Sequence, residues 1–92
     1  MESIEAIKQK SHDVVLEILP NINSEELLDD MDLFSLGLDS VNAIMLVMSL
    51  QDAFSVNFEA SEINVENFRS IADIVKLIER KEEAYHASGS HK

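Results

Sequence analysis

The chain contains no cysteine. That excludes disulfides and thiolate metal sites, and it fits a reducing compartment. Lysine and arginine are absent from Ser11 through Phe68, while the same span holds twelve acids between Asp13 and Glu66. The formal net charge is −11. Such a field repels nucleic acid and anionic membranes, so neither is an expected partner. Long hydrophobic runs are also lacking. The longest, Ala43 to Met48, is too short to cross a bilayer, and the opening MESIEAIKQK is too polar for a signal peptide. No membrane insertion is expected, and the cytoplasm is the expected compartment. Strand-type alternation does not persist anywhere, and no internal repeat is present. Ninety-two residues allow one small domain with a limited core. The acidic surface serves either solubility or long-range steering toward basic partner proteins.

What is present reads as helix. Ile4, Ile7, Ser11, Val14 and Ile18 step by three and four, predicting a helix over 4–19 with Ser3 as N-cap and Pro20 as its stop. Residues 20–39, PNINSEELLDDMDLFSLGLD, form a long connection with Gly37 as a turn residue. Its many leucines predict that it packs across the bundle, and loops of this length are often functional. A second helix is expected over 40–54 with Asp39 as N-cap, and a short helical piece around Ser61 to Val65. Ser70-Ile71-Ala72-Asp73 has capping-box spacing, with Asp in place of the usual Glu, and starts a last helix. Residues 81–92, KEEAYHASGSHK, lose the apolar pattern and are expected to fray. The predicted architecture is an all-α small four-helix bundle: three main helices, one short helix, and a long loop between the first two. The bundle is assigned to 1–80 and is expected to be a monomer.

The second helix carries two apolar stripes. Ala43, Leu46, Val47, Leu50 and Phe54 suffice to dock it on its neighbours. Val41, Ile44, Met45 and Met48 make a second stripe on another face, starting one residue after Ser40. One reading buries this helix on two sides. The other leaves an exposed apolar patch, which on a small protein marks an interaction site, and methionine adapts well to several partners.

Three chemistries were weighed at the start of this helix. A serine-hydrolase elbow needs G-x-S-x-G, but Gly37-Leu38-Asp39-Ser40-Val41-Asn42 has no second glycine. The histidines offer no triad either: His12 lies on the first helix, and His86 and His91 lie in the tail. A calcium loop starting at Asp30 fits at Asp32 and then fails at Phe34, Ser35 and Val41, so no metal site is expected. Covalent attachment at Ser40 remains open beside the plain reading of a helix-start hydroxyl. A phosphate ester there would meet unsatisfied N–H groups and the positive end of the helix dipole.

Phe34-Ser35-Leu36-Gly37-Leu38-Asp39-Ser40-Val41 resembles the phosphopantetheine attachment motif of acyl carrier proteins, usually written L-G-x-D-S-[LIVM]. The likeness extends over the helix pattern of roughly residues 4–80. It implies that a phosphopantetheinyl transferase places 4′-phosphopantetheine on Ser40, with Asp39 helping transferase recognition. The arm would carry an acyl group as a thioester to separate enzymes: a loading ligase and acyl-transferring or condensing enzymes. The protein itself would not be an enzyme. Val41, Ile44, Met45, Met48 and Asp52 would form the partner face. Carriers of primary fatty-acid synthesis usually have several acids along that face, whereas here Asn42, Ile44, Met45, Met48 and Gln51 occupy it. This departure points to a dedicated carrier in a specialised pathway of polyketide or lipopeptide type. Primary fatty-acid and aminoacyl or D-alanyl carriers are the alternatives within the family. An acidic helical adaptor without a prosthetic group is the alternative outside it.

Overall fold

The computed structural model describes residues 3–89. Helix α1 spans Ile4–Ile18, and Leu19 is its C-cap. Ser3 caps its start, its Oγ accepting from the Ala6 N–H at 3.2 Å. Pro20 lacks the N–H that another turn would need, so the chain leaves the helix there. Ile7, Ser11, Val14 and Val15 are buried, the face expected from the spacing. Helix α2 spans Ser40–Phe54 and helix α3 spans Ile71–Gly89. α1 packs against both.

The long connection packs inward as its leucines predict. Leu27, Leu33 and Leu38 are buried, and Ile22, Phe34 and Leu36 rest partly buried against the core. Two backbone bonds pin the connection to the start of α3. The Leu33 N–H donates to the Arg69 carbonyl at 2.7 Å, and the Ala72 N–H donates to the Asp29 carbonyl at 2.9 Å. A surface ion pair adds a tie to α1, Lys8 Nζ lying 3.1 Å from Asp29 Oδ2, and this neighbour raises the Lys8 pKa. One short 3₁₀ turn, Ser24–Glu26, sits within the connection.

The expected short helix around Ser61 to Val65 takes a different form. It is two single 3₁₀ turns, Ala60–Glu62 and Glu66–Phe68, separated by Ile63, Asn64 and Val65. Apolar residues at 63 and 65 stay in solvent, so no continuous stripe exists to dock a longer helix here. Phe58 and Phe68 anchor the segment, with ring centroids 5.5 Å apart in an edge-to-face contact.

At the start of α3, Ser70 caps as expected, accepting from the Asp73 N–H at 3.2 Å. The Ser70 hydroxyl in turn donates to Asp73 Oδ2 at 2.8 Å, a side-chain partner that the shorter Asp reaches. The helix does not end where the apolar pattern fades. Its backbone runs through Gly89, past the boundary expected at residue 80, and Lys81 is buried. Residues 90–92, and with them His91, lie outside the described residues.

Candidate functional site

Gly37 positions the site. The chain over 32–38 turns back on itself, with the Leu36 and Leu38 N–H groups both donating to the Leu33 carbonyl at 3.0 Å. Closing that turn puts Gly37 at φ +117, a region that residues with a Cβ rarely enter. Leu38 can then bury while Asp39 and Ser40 emerge exposed.

Asp39 is the N-cap of α2. Its Oδ1 accepts from the Asn42 N–H at 2.9 Å, and its carbonyl accepts from the Ala43 N–H at 2.8 Å. Ser40 is the first helical residue. Its hydroxyl therefore stands in solvent at the end of the helix where N–H groups lack intrahelical acceptors and the dipole is positive. At the far end, Ser55 closes the helix in the left-handed region at φ 54. There Lys10 lies 4.9 Å from the centre of the Phe54 ring and donates to the Ala53 carbonyl at 3.3 Å.

Both stripes of α2 fall where the spacing places them. Leu46, Val47, Leu50 and Phe54 are buried, with Ala43 partly so. Val41, Ile44, Met45 and Met48 are 68%, 63%, 51% and 59% exposed, which rules out burial of the helix on two sides. Asp52 is exposed further along.

Beside Ser40 runs an open groove of about 650 Å³. One wall is α2, contributing Ala43, Ile44, Val47 and Met48; the other is the 59–68 segment, contributing Ile63, Asn64 and Val65. Phe34 and Phe68 also line it, as do Asp39 and Ser40 at the start of α2. Reading the sequence missed this second wall and Phe34. Ile63 and Val65 are isolated apolar residues in a polar stretch and belong to no periodic face. The readable signal was polar: Glu59 with Glu62, and Asn64 with Asn67, each three apart, are local turn closures. The Glu59 N–H donates to Glu62 Oε1 at 2.8 Å, and the Asn67 N–H donates to Asn64 Oδ1 at 2.9 Å.

The two other weighed chemistries gain nothing from the geometry. Asp32 Oδ1 accepts from the Phe34 N–H at 2.9 Å, and Asp29 pairs with Lys8. Among the described residues no three His, Cys, Asp or Glu side chains gather as metal ligands. His12 Nε2 lies 3.3 Å from the Leu27 carbonyl, on the other side of the long connection from Ser40 in sequence. Among the described residues no helix is long and apolar enough to cross a membrane.

Comparison with known proteins decides the family. The phosphopantetheine attachment site family matches residues 12–78, a span that includes the turn at Gly37, all of α2 and the groove's second wall. The chain belongs to the phosphopantetheine-binding carrier family. A D-alanyl carrier protein of Lactobacillus acidophilus is 37% identical over 71 residues, covering 74% of this chain and 90% of that protein. An acyl carrier protein of Wolinella succinogenes is 35% identical over 75 residues, covering 80% of this chain and 95% of that protein. An aminoacyl carrier protein of Agrobacterium fabrum is 33% identical over 57 residues, covering 59% of this chain and 69% of that protein. This carrier has helices and 3₁₀ turns but no strand among the described residues, as the apolar spacing predicted, and carries its phosphopantetheine on a serine. The geometry accommodates that group: an exposed hydroxyl at a positive helix end would meet its phosphate, and the same residue lines an apolar groove.

Proposed function

We propose that Ser40 is the attachment serine and that the chain is a non-catalytic cytoplasmic carrier. The observation that carries this is the placement of Ser40: exposed, first in α2, capped by Asp39 and lining the groove. A phosphopantetheinyl transferase would use the Ser40 hydroxyl as acceptor and coenzyme A as donor: the serine oxygen loses its proton and bonds to the phosphorus bearing the pantetheine arm, the pyrophosphate P–O bond breaks, and adenosine 3′,5′-bisphosphate leaves. Once bound, the group supplies a thiol that holds an acyl group as a thioester. The chain's own part is to present the oxygen and to stabilise the resulting phosphodiester charge at the helix start. Asp39 fixes the geometry of that first turn, and its exposed carboxylate is available to a transferase.

The test is intact mass after incubation with coenzyme A and a broad-specificity transferase. The chain gains one phosphopantetheine, and Ser40→Ala gains none while its helicity is nearly unchanged. A chain that gains no mass while a control carrier does is an acidic adaptor instead.

The partner face is Val41, Ile44, Met45 and Met48, with Asp52 at its far end. It is exposed and free of acids between Asp39 and Asp52. Partners therefore read this helix more by apolar packing than by charge. That supports a carrier dedicated to a specialised acyl pathway, of polyketide or lipopeptide type, over primary fatty-acid synthesis. Its partners would be a loading ligase and acyl-transferring or condensing enzymes. A second reading, an aminoacyl or D-alanyl carrier, is favoured by the likeness to D-alanyl carrier proteins over most of the chain. The mass of the loaded protein isolated from its own host separates the two, because an alanyl adduct and a longer acyl adduct differ plainly.

A further inference from the structure

The groove's second wall is anchored at its two ends by the buried Phe58 and Phe68, and between them one semi-buried ion pair joins it to α3. Lys81 stands on α3 in register with Ile71, Ile74 and Ile78, at steps of three, four and three. A core position thus carries a charge. Its residue is 9% exposed, and its Nζ lies 2.9 Å from Glu62 Oε1. Glu62 closes the Ala60–Glu62 turn, immediately before the groove residues Ile63, Asn64 and Val65. The same Oε1 accepts from the Glu59 N–H at 2.8 Å. The Glu62 carbonyl accepts from Asn67 Nδ2 at 2.8 Å, which carries the tie across the groove residues to the next turn. Glu62 therefore couples all three parts: its carboxylate ties the wall's first turn to α3, and its backbone carbonyl holds the second turn.

Between Phe58 and Phe68 no residue of the wall is buried. Ile63 and Val65 are about half exposed, and the turns are one residue triplet each. Segments with few buried apolar contacts open at low free-energy cost. We propose that the Lys81–Glu62 pair fastens the 59–68 wall to α3 and so fixes the width of the groove beside Ser40. This makes Lys81 a positioning residue for whatever the groove receives, a role that rests on the reading of Ser40 as the loaded serine. A buried lysine stem fills the core site as an apolar chain would, while its head reaches out to the wall.

The test is amide hydrogen exchange on the full-length chain, corrected for intrinsic rates. Lys81→Met keeps stem length and apolarity at a core-facing position, so the fold is retained. Its expected effect is a loss of protection at Ile63 and Asn67 of about tenfold, with Leu46 and Leu50 on α2 unchanged. Glu62→Gln produces the same local loss. The double variant is no worse than Lys81→Met alone, because that change already removes the contact with Glu62. Unchanged protection at Ile63 and Asn67 in Lys81→Met overturns the proposal. So does an equal loss at Leu46 and Leu50, which marks general destabilisation, and so do additive losses in the double variant. Transferase loading of Ser40, measured by mass on the same samples, stays within about twofold, since the Asp39 cap lies on the other wall. Failure of the unaltered chain to load would instead overturn the function given to the groove and leave the exchange result standing.

Discussion

One wall of the groove is a fifteen-residue α-helix held by four buried side chains; the other is two single turns anchored at the ends by Phe58 and Phe68 and held between them by side-chain hydrogen bonds and an ion pair. The first resists change because close-packed apolar side chains lose contacts at once when they shift. Between its two buried phenylalanines, the second depends on polar bonds that water can replace. The serine stands on the first wall, where its position is fixed by Asp39 and the core. Adaptation to an occupant falls to the second. A site that must present one atom accurately and also receive varied groups benefits from such an unequal pair.

The contrast can be broken most forcefully in the helix. Leu50 is fully buried, so Leu50→Ala should cost about 2–5 kcal/mol, read by thermal or denaturant unfolding. A cost well below that range would mean the α2 wall is no better anchored than its partner.

Acid sharpens the contrast on the other side. The Glu62 carboxyl is held below the ordinary glutamate value of 4.5, first by the Glu59 N–H and then by Lys81. A carboxylate with a lowered folded-state pKa contributes stability that is present above its unfolded value and lost as pH falls through the folded one. Protection of the Ile63 and Asn67 amides should therefore hold from neutral pH down to about 4.5 and fall below it, ahead of the α2 amides. Glu62→Gln should remove that pH dependence; a wall that loosens identically in both proteins refutes the assignment to Glu62.

The smallest stability effect is expected on the solvent face of the rigid wall. Met45→Ala with Met48→Ala should change stability by no more than about 0.5 kcal/mol while weakening delivery to a partner enzyme. A loss of several kcal/mol, or undiminished delivery, would return the methionines to a purely structural role.

The same inequality governs how much could be read in the sequence. Helix α2 was legible in its cap and in both stripes, while exposure of the second stripe was one of two readings that the spacing allowed. A helix repeats every 3.6 residues, and two faces of one helix leave two interleaved patterns. The long connection was legible as packed, because six of its apolar residues had no other use. The second wall was not legible, because it is made by apposing residues 63–65 to a helix about twenty positions earlier. No local periodicity encodes that meeting. Lys81 was misread for a related reason. Its charge looked like the end of the α3 pattern, yet its position continues the series Ile71, Ile74, Ile78, and the nearness of Glu62 gives the charged head a partner there.

Gly37 shows what kind of constraint a motif glycine can express. An added Cβ at this position meets no heavy atom within 4 Å, so room is not the issue. Its φ of +117 is the difficulty, a matter of handedness rather than size. A mirror-image alanine, introduced by chemical synthesis, should suit the position where ordinary alanine strains it. The motif preserves the one non-chiral residue because the path from the buried leucines to the serine bends the wrong way for any other.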